Sequence, residues 1–150
     1  MDGEDGGLGG YLAMQCVWQL TPAAARENAG ALSQPSALMS SKRVGINHRV
    51  QVLRCSDGAH MRTIGSGGSG AGQFNLPIGV ALDGAGNMVV ADHANHRVQV
   101  LRCSDGSHMR TIGSEGRGNG QFHCPWGVLI DGEGRIIVSD CDNHRIQVLQ

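Results

Sequence analysis

Residues 47–58 read Asn-His-Arg-Val-Gln-Val-Leu-Arg-Cys-Ser-Asp-Gly, and the same string recurs unchanged at 95–106. A shortened copy, Asn-His-Arg-Ile-Gln-Val-Leu-Gln, fills 143–150. Asn47, Asn95 and Asn143 are therefore 48 residues apart, and laying 47–94 over 95–142 without a gap gives 32 identities in 48 positions. A period of this length restricts the fold to solenoids, propellers or arrays. In all of them one unit buries its apolar surface only against a neighbour.

The pattern inside the repeat selects among these. The runs 79–83 (GVALD) and 127–131 (GVLID) are short and apolar and end at Asp-Gly. The runs 87–92 (NMVVAD) and 135–140 (RIIVSD) are rich in β-branched residues, as buried strands are. HRVQVLR (48–54 and 96–102) alternates polar and apolar residues with the two-residue period of a strand, and HMRTIG (60–65 and 108–113) does so more weakly. Turn signals separate them: DGAG at 83–86, DGEG at 131–134, and SDG at 56–58 and 104–106. Asp bonds its own backbone in such turns and Gly accepts positive φ. Each repeat thus predicts four short strands, a to d, in an antiparallel meander, and meanders at this spacing read as propeller blades. No stretch of the repeat has the helical period that a helical solenoid requires.

Residues 76–122 resemble an NHL repeat. The features that carry the resemblance are Pro77, Gly79 and Val80, the Asp-Gly-x-Gly turn, the stop at Asp92, the Asn95-His96-Arg97 signature and the Gly-rich exit to Gln121 and Phe122. The similarity covers about 46–150. It implies the six-bladed propeller that such repeats build. This chain, however, carries fewer repeats.

The expected fold class is all-β, an incomplete propeller arc of about three antiparallel meander blades of which one is complete. The partial first blade is expected over 47–65, the full blade over 76–113 and a partial third over 126–150. Upstream, 29–44 has neither the Pro-x-Gly-Val pattern nor the Val-x-Asp stop. On this reading the chain is a propeller fragment or a truncated gene product. Residues 1–45 are dominated by Gly, Ala and Ser and are expected to be a disordered leader, with at most a short helix over 21–30, from a Thr21 cap and Pro22 to Gly30.

Composition removes several functions. The net charge is −1, and residues 47–150 hold nine Arg, no Lys and nine Asp or Glu, so no basic face invites phosphate. Five cysteines in no tight framework argue against a disulfide-stapled secreted module. The acidic start MDGEDGG does not suit a signal peptide, and the apolar run 11–20 is too short to span a bilayer. A cytoplasmic protein with no membrane contact is expected.

Residues present in every repeat are read as packing. His48, His96 and His144, the pairs Asp92 with Arg97 and Asp140 with Arg145, and Asn95 and Asn143 form this structural signature, each pair a local tie rather than an acid–base dyad. GSGGSG (65–70) matches G-x-G-x-x-G, but no helix follows to face a pyrophosphate. Its glycines are expected to carry the chain from one blade to the next. Cys55 with His60, and Cys103 with His108, could share a zinc only if they met, and they lie a blade apart.

Positions that differ between repeats report freedom or a local task. They cluster in two loops expected to emerge on one face. One is the d–a crossover (Asn75, Leu76 and Ile78 against His123, Cys124 and Trp126). The other is the b–c turn (His93 and Ala94 against Cys141 and Asp142). This face is the expected binding surface, with Trp126 as an anchor in an exposed loop mouth. His93, His123, Cys124 and Cys141 are candidate metal ligands by type, without diagnostic spacing. No cofactor and no catalytic residue are assigned.

The expected function is a non-catalytic interaction module that holds a protein partner. The resemblance implies a link to ubiquitin-ligase scaffolding, since NHL propellers of tripartite-motif proteins follow a RING domain. Two alternatives stand beside it. One is an RNA-binding surface, which the charge balance and scarcity of aromatic residues disfavour. The other is a metal-dependent lyase-like propeller. Bare outer blade faces also imply self-association or residence in a larger assembly.

Overall fold

The structure, a computed structural model, describes residues 47–54 and 56–150. The expected leader, with its helix at 21–30, lies outside the described residues, as does Cys55.

Strands β1 (Val50–Leu53) and β2 (His60–Ile64) form a two-stranded antiparallel sheet. A parallel pair follows, β3 (Ser66–Gly67) with β4 (Gln73–Phe74). Four strands then run as a meander in sequence order: β5 (Pro77–Leu82), β6 (Asn87–Asp92), β7 (Arg97–Arg102) and β8 (His108–Ile112). The last sheet holds β9 (Pro125–Ile130), β10 (Ile136–Asp140) and β11 (Arg145–Leu149). The three meander sheets are the arc of blades, and none closes into a barrel. Among the described residues no helix is long and apolar enough to cross a membrane.

The hairpins form where Asp-Gly lies because the Asp carboxylate takes the turn amides. Asp83 accepts from Ala85 and Asn87 at 3.0 and 2.7 Å, and Asp131 from Glu133 and Arg135 at 2.9 and 3.0 Å. This places the a–b and c–d turns at one end of the blade, where the Cys103 amide also reaches the Gly86 carbonyl. The b–c turns and the crossovers occupy the other end.

The core lies between sheets. Val80, Met88, Val90 and Leu101 of the middle sheet pack on Val50, Val52 and Ile64 of the first, with Phe74. Residues one step along, Ala81, Val89, Ala91, Val98 and Val100, pack on Val128, Ile136 and Val138 of the third, with Phe122. Alternate side chains of one strand therefore feed opposite interfaces. The innermost strands approach closely: a Cβ on Gly79 would lie 2.6 Å from the Trp126 carbonyl oxygen, so the Pro-x-Gly-Val pattern needs its glycine for space.

One sequence expectation is refined here. HRVQVLR alternates in polarity, yet Val98, Gln99, Val100 and Leu101 are all buried. Gln99 tolerates burial because it is saturated: its amide group donates to the Gln73 carbonyl and to Asp92, and its carbonyl accepts the Gly72 amide. The parallel pair β3–β4, and the equivalent single bridge between Glu115 and Phe122, were not legible in the glycine-rich crossover.

Candidate functional site

Each b–c corner is built on a buried aspartate. Asp92 ends β6 and is fully buried. Its Oδ1 accepts the Asn75 amide at 2.7 Å, and its Oδ2 accepts from Asn95, Arg97 and Gln99 at 2.9, 2.8 and 3.0 Å. Arg97 goes further, donating to the Ser69, Gly70 and Gln73 carbonyls of the crossover at 2.8–2.9 Å. The expected local tie is thus a staple that fastens the incoming crossover to its blade. Asp140, Asn143, Arg145 and Gln147 repeat it on Gly116, Arg117, Gly118 and Gln121. Burial alone would raise the Asp140 carboxyl, but the His123 amide, Asn143 and Arg145 outweigh it and hold it below the usual aspartate range.

After the aspartate comes a single 3-10 turn, His93–Asn95 or Cys141–Asn143, and then a left-handed residue, His96 or His144, each at φ 52°. His is among the few side chains enriched in that region. The ring then reaches the next blade. His48 Nδ1 accepts the Leu76 amide at 3.2 Å, and His96 Nδ1 accepts the Cys124 amide at 3.1 Å. Leu76 and Cys124 are themselves left-handed, at φ 54° and 55°, so this bond braces a strained residue immediately before the proline that opens each new sheet. His144 sits in the same geometry on the last blade with no such amide among the described residues. There it borders a cleft of about 240 Å³ with Arg117, Asp142, Asn143 and Arg145.

The variable positions converge on this face. The Ala94 amide donates to the Asn75 carbonyl at 3.0 Å, and the Asp142 amide to the His123 carbonyl at 3.1 Å, so crossover and b–c turn lie side by side. Asn75, Leu76 and Ile78 are half-buried at the first junction. Across the second junction, His93 donates to the Pro125 carbonyl at 3.2 Å and meets the Trp126 ring edge-on at 5.4 Å between centroids. Trp126 is therefore half-buried against His93 rather than standing in an exposed loop mouth.

Of the four metal candidates from the sequence, the structure gathers His123 and Cys124, with His96 as the third member, their ligand atoms within 4.8 Å of one another. His93 is turned to Pro125 and Trp126, and Cys141 is exposed. His96 was legible only as a packing residue, because it is the same in every repeat. The Cys124 thiol is pushed up to about 11 by burial, by its hydrogen bond to Asp142, and by the charges of Asp142, Cys141 and Glu115. On the outer rim His108 bonds Thr111 and His60 bonds Thr63, both at 2.9 Å, and Cys55 lies outside the described residues.

Stapled meanders packed face to face, each clamped to the next by a left-handed histidine, define a repeat-built arc of β-propeller blades. The NHL repeat family model matches residues 74–101 and 122–149, and these two segments are NHL repeats. No curated protein matches this chain. NHL repeats are generally protein-interaction modules and typically non-catalytic.

Proposed function

We propose that the loop face at the junction of the middle and third blades binds a protein partner. The observation that supports this most is the convergence of repeat-to-repeat differences, His93, His123, Cys124, Trp126, Cys141 and Asp142, on one continuous surface around a half-buried tryptophan. Asn75, Leu76 and Ile78 extend it over the first junction. A rigid aromatic at the centre of a polar rim suits an interface anchor. The finer reading, carried by resemblance to propellers that follow RING domains, is a scaffold that presents the partner for ubiquitin ligation.

The test is a pull-down with the full chain as bait. Trp126→Ala with His93→Ala is expected to weaken capture of the partner at least about tenfold with an unchanged circular dichroism spectrum. If Arg110→Ala, on the exposed surface of β8, weakens capture more than the double variant, the face is misassigned.

The bare side of the third blade adds a second contact, and its occupant is another copy of this chain. It presents Ile146 and Val148, which are 63% and 56% exposed. The equivalent side of the middle blade packs on the next blade of the array. A second copy would continue that interface head to tail.

A further inference from the structure

The two blade junctions share a backbone and differ in chemistry. At the first, His48 holds Leu76, with Asn75 and Ala94 beside it. At the second, the same three positions are Cys124, His123 and Asp142. The left-handed turn at Cys124 brings its sulfur to 4.0 Å from His96 Nδ1. The His96 and His123 rings lie 5.1 Å apart. Asp142 stands beside the group, with Oδ2 4.0 Å from His123 Nε2.

We propose that this junction is a zinc site, with His96, His123 and Cys124 as ligands and the Asp142 carboxylate as the fourth. Two imidazoles, a thiolate and a carboxylate make a donor set for a borderline-soft tetrahedral ion and not for calcium or magnesium, which take oxygen ligands. A tetrahedral zinc ion with ordinary bond lengths spaces its ligand atoms roughly 3.3–3.7 Å apart. The His96, His123 and Cys124 ligand atoms, within 4.8 Å of one another, and the Asp142 carboxylate, 4.0 Å from His123, reach that spacing by side-chain rotation. All four side chains are at least partly exposed, so such rotations are open to them and the ion has access.

Binding has an identifiable cost. His96 Nδ1 spends its lone pair on the Cys124 amide, so coordination through that nitrogen releases one neutral hydrogen bond at a half-exposed position. Water can replace it for the amide. The Cys124 thiol proton leaves to solvent as the ion enters. The consequence is mechanical. The ligands come from the b–c turn of the middle blade and from the crossover and b–c turn of the third, so the ion clips the two blades together across their open end. This inference does not depend on whether the surrounding face also binds protein.

The first junction supplies the control, because the fold already accepts its residues in the same geometry. The full chain, freed of metal with a chelator, is titrated with Zn²⁺ against a chromophoric competitor, and with Co²⁺ for the sulfur-to-metal charge-transfer band. Wild type is expected to bind one equivalent with a dissociation constant below about 1 μM, to show the band, and to melt at a higher temperature with zinc than without it. His123→Asn with Cys124→Leu is expected to keep the metal-free melt, lose the band, and bind at least about 100-fold more weakly. Wild-type binding weaker than about 100 μM would overturn the proposal. So would undiminished binding by the double variant, which would place the ligands elsewhere in the chain.

Discussion

Val98 and Val100 in β7 are 0% and 5% exposed, whereas their equivalents in β11, Ile146 and Val148, are 63% and 56% exposed. The two strands share a repeat position and nearly a sequence. The difference is the neighbour: among the described residues β7 has a blade on each side, and β11 has one only on the side toward the middle sheet. Burial in this molecule is therefore a property of position in the array rather than of the residue, and the middle blade shows what the third would become with a further blade against it.

The largest expected effect puts a charge at both places. Val98→Asp buries an unpaired carboxylate between sheets and is expected to cost more than about 4 kcal/mol, seen as loss of the cooperative melt. Ile146→Asp is expected to change the stability of the dilute monomer by less than about 0.5 kcal/mol. Equal losses would mean that another part of the chain already covers β11.

The staples should differ less. Asp92→Asn and Asp140→Asn each leave a guanidinium without its carboxylate, and each is expected to cost about 3 kcal/mol in urea unfolding. The loss should be larger at Asp92, because Arg97 is 13% exposed and Arg145 27%. The pH dependence has a definite sign. The Asp140 carboxyl lies lower in the fold than in the unfolded chain. Its contribution is complete above the ordinary aspartate value of about 3.9 and is lost as pH falls through the lower folded value. Urea midpoints of wild type should thus fall in acid more steeply than those of Asp140→Asn.

The smallest effect concerns the clamp. His48→Ala removes the bond to the Leu76 amide and is expected to cost about 1 kcal/mol, whereas His144→Ala, with no crossover to hold among the described residues, should cost nothing measurable. Matching losses would assign the histidine a role in its own turn.

The repeat period, the Asp-Gly turns and the β-branched runs made the blades legible in the sequence, since each is a local rule satisfied locally. Gln99 was less legible. Alternation marks it as the polar side of a strand, and only the crossover folding back over that strand buries and saturates it. The variable loop face could be read as two loops, because propeller topology alone puts those loops at one end. Its internal arrangement could not. His93 and Cys141 each begin a 3-10 turn, in which the chain direction changes with every residue, so neighbours in sequence diverge in space. His96 joined the cluster because Cys124 and His123 came to it, and no repeat-wide pattern carries that information.

Size-exclusion chromatography with light scattering tests most directly whether a blade needs a neighbour on each side. The account predicts that the full chain elutes as a species heavier than the 15.7 kDa monomer, and that Ile146→Asp with Val148→Asp shifts it toward the monomer. A monodisperse wild-type monomer of 15.7 kDa with a sharp cooperative melt would contradict it.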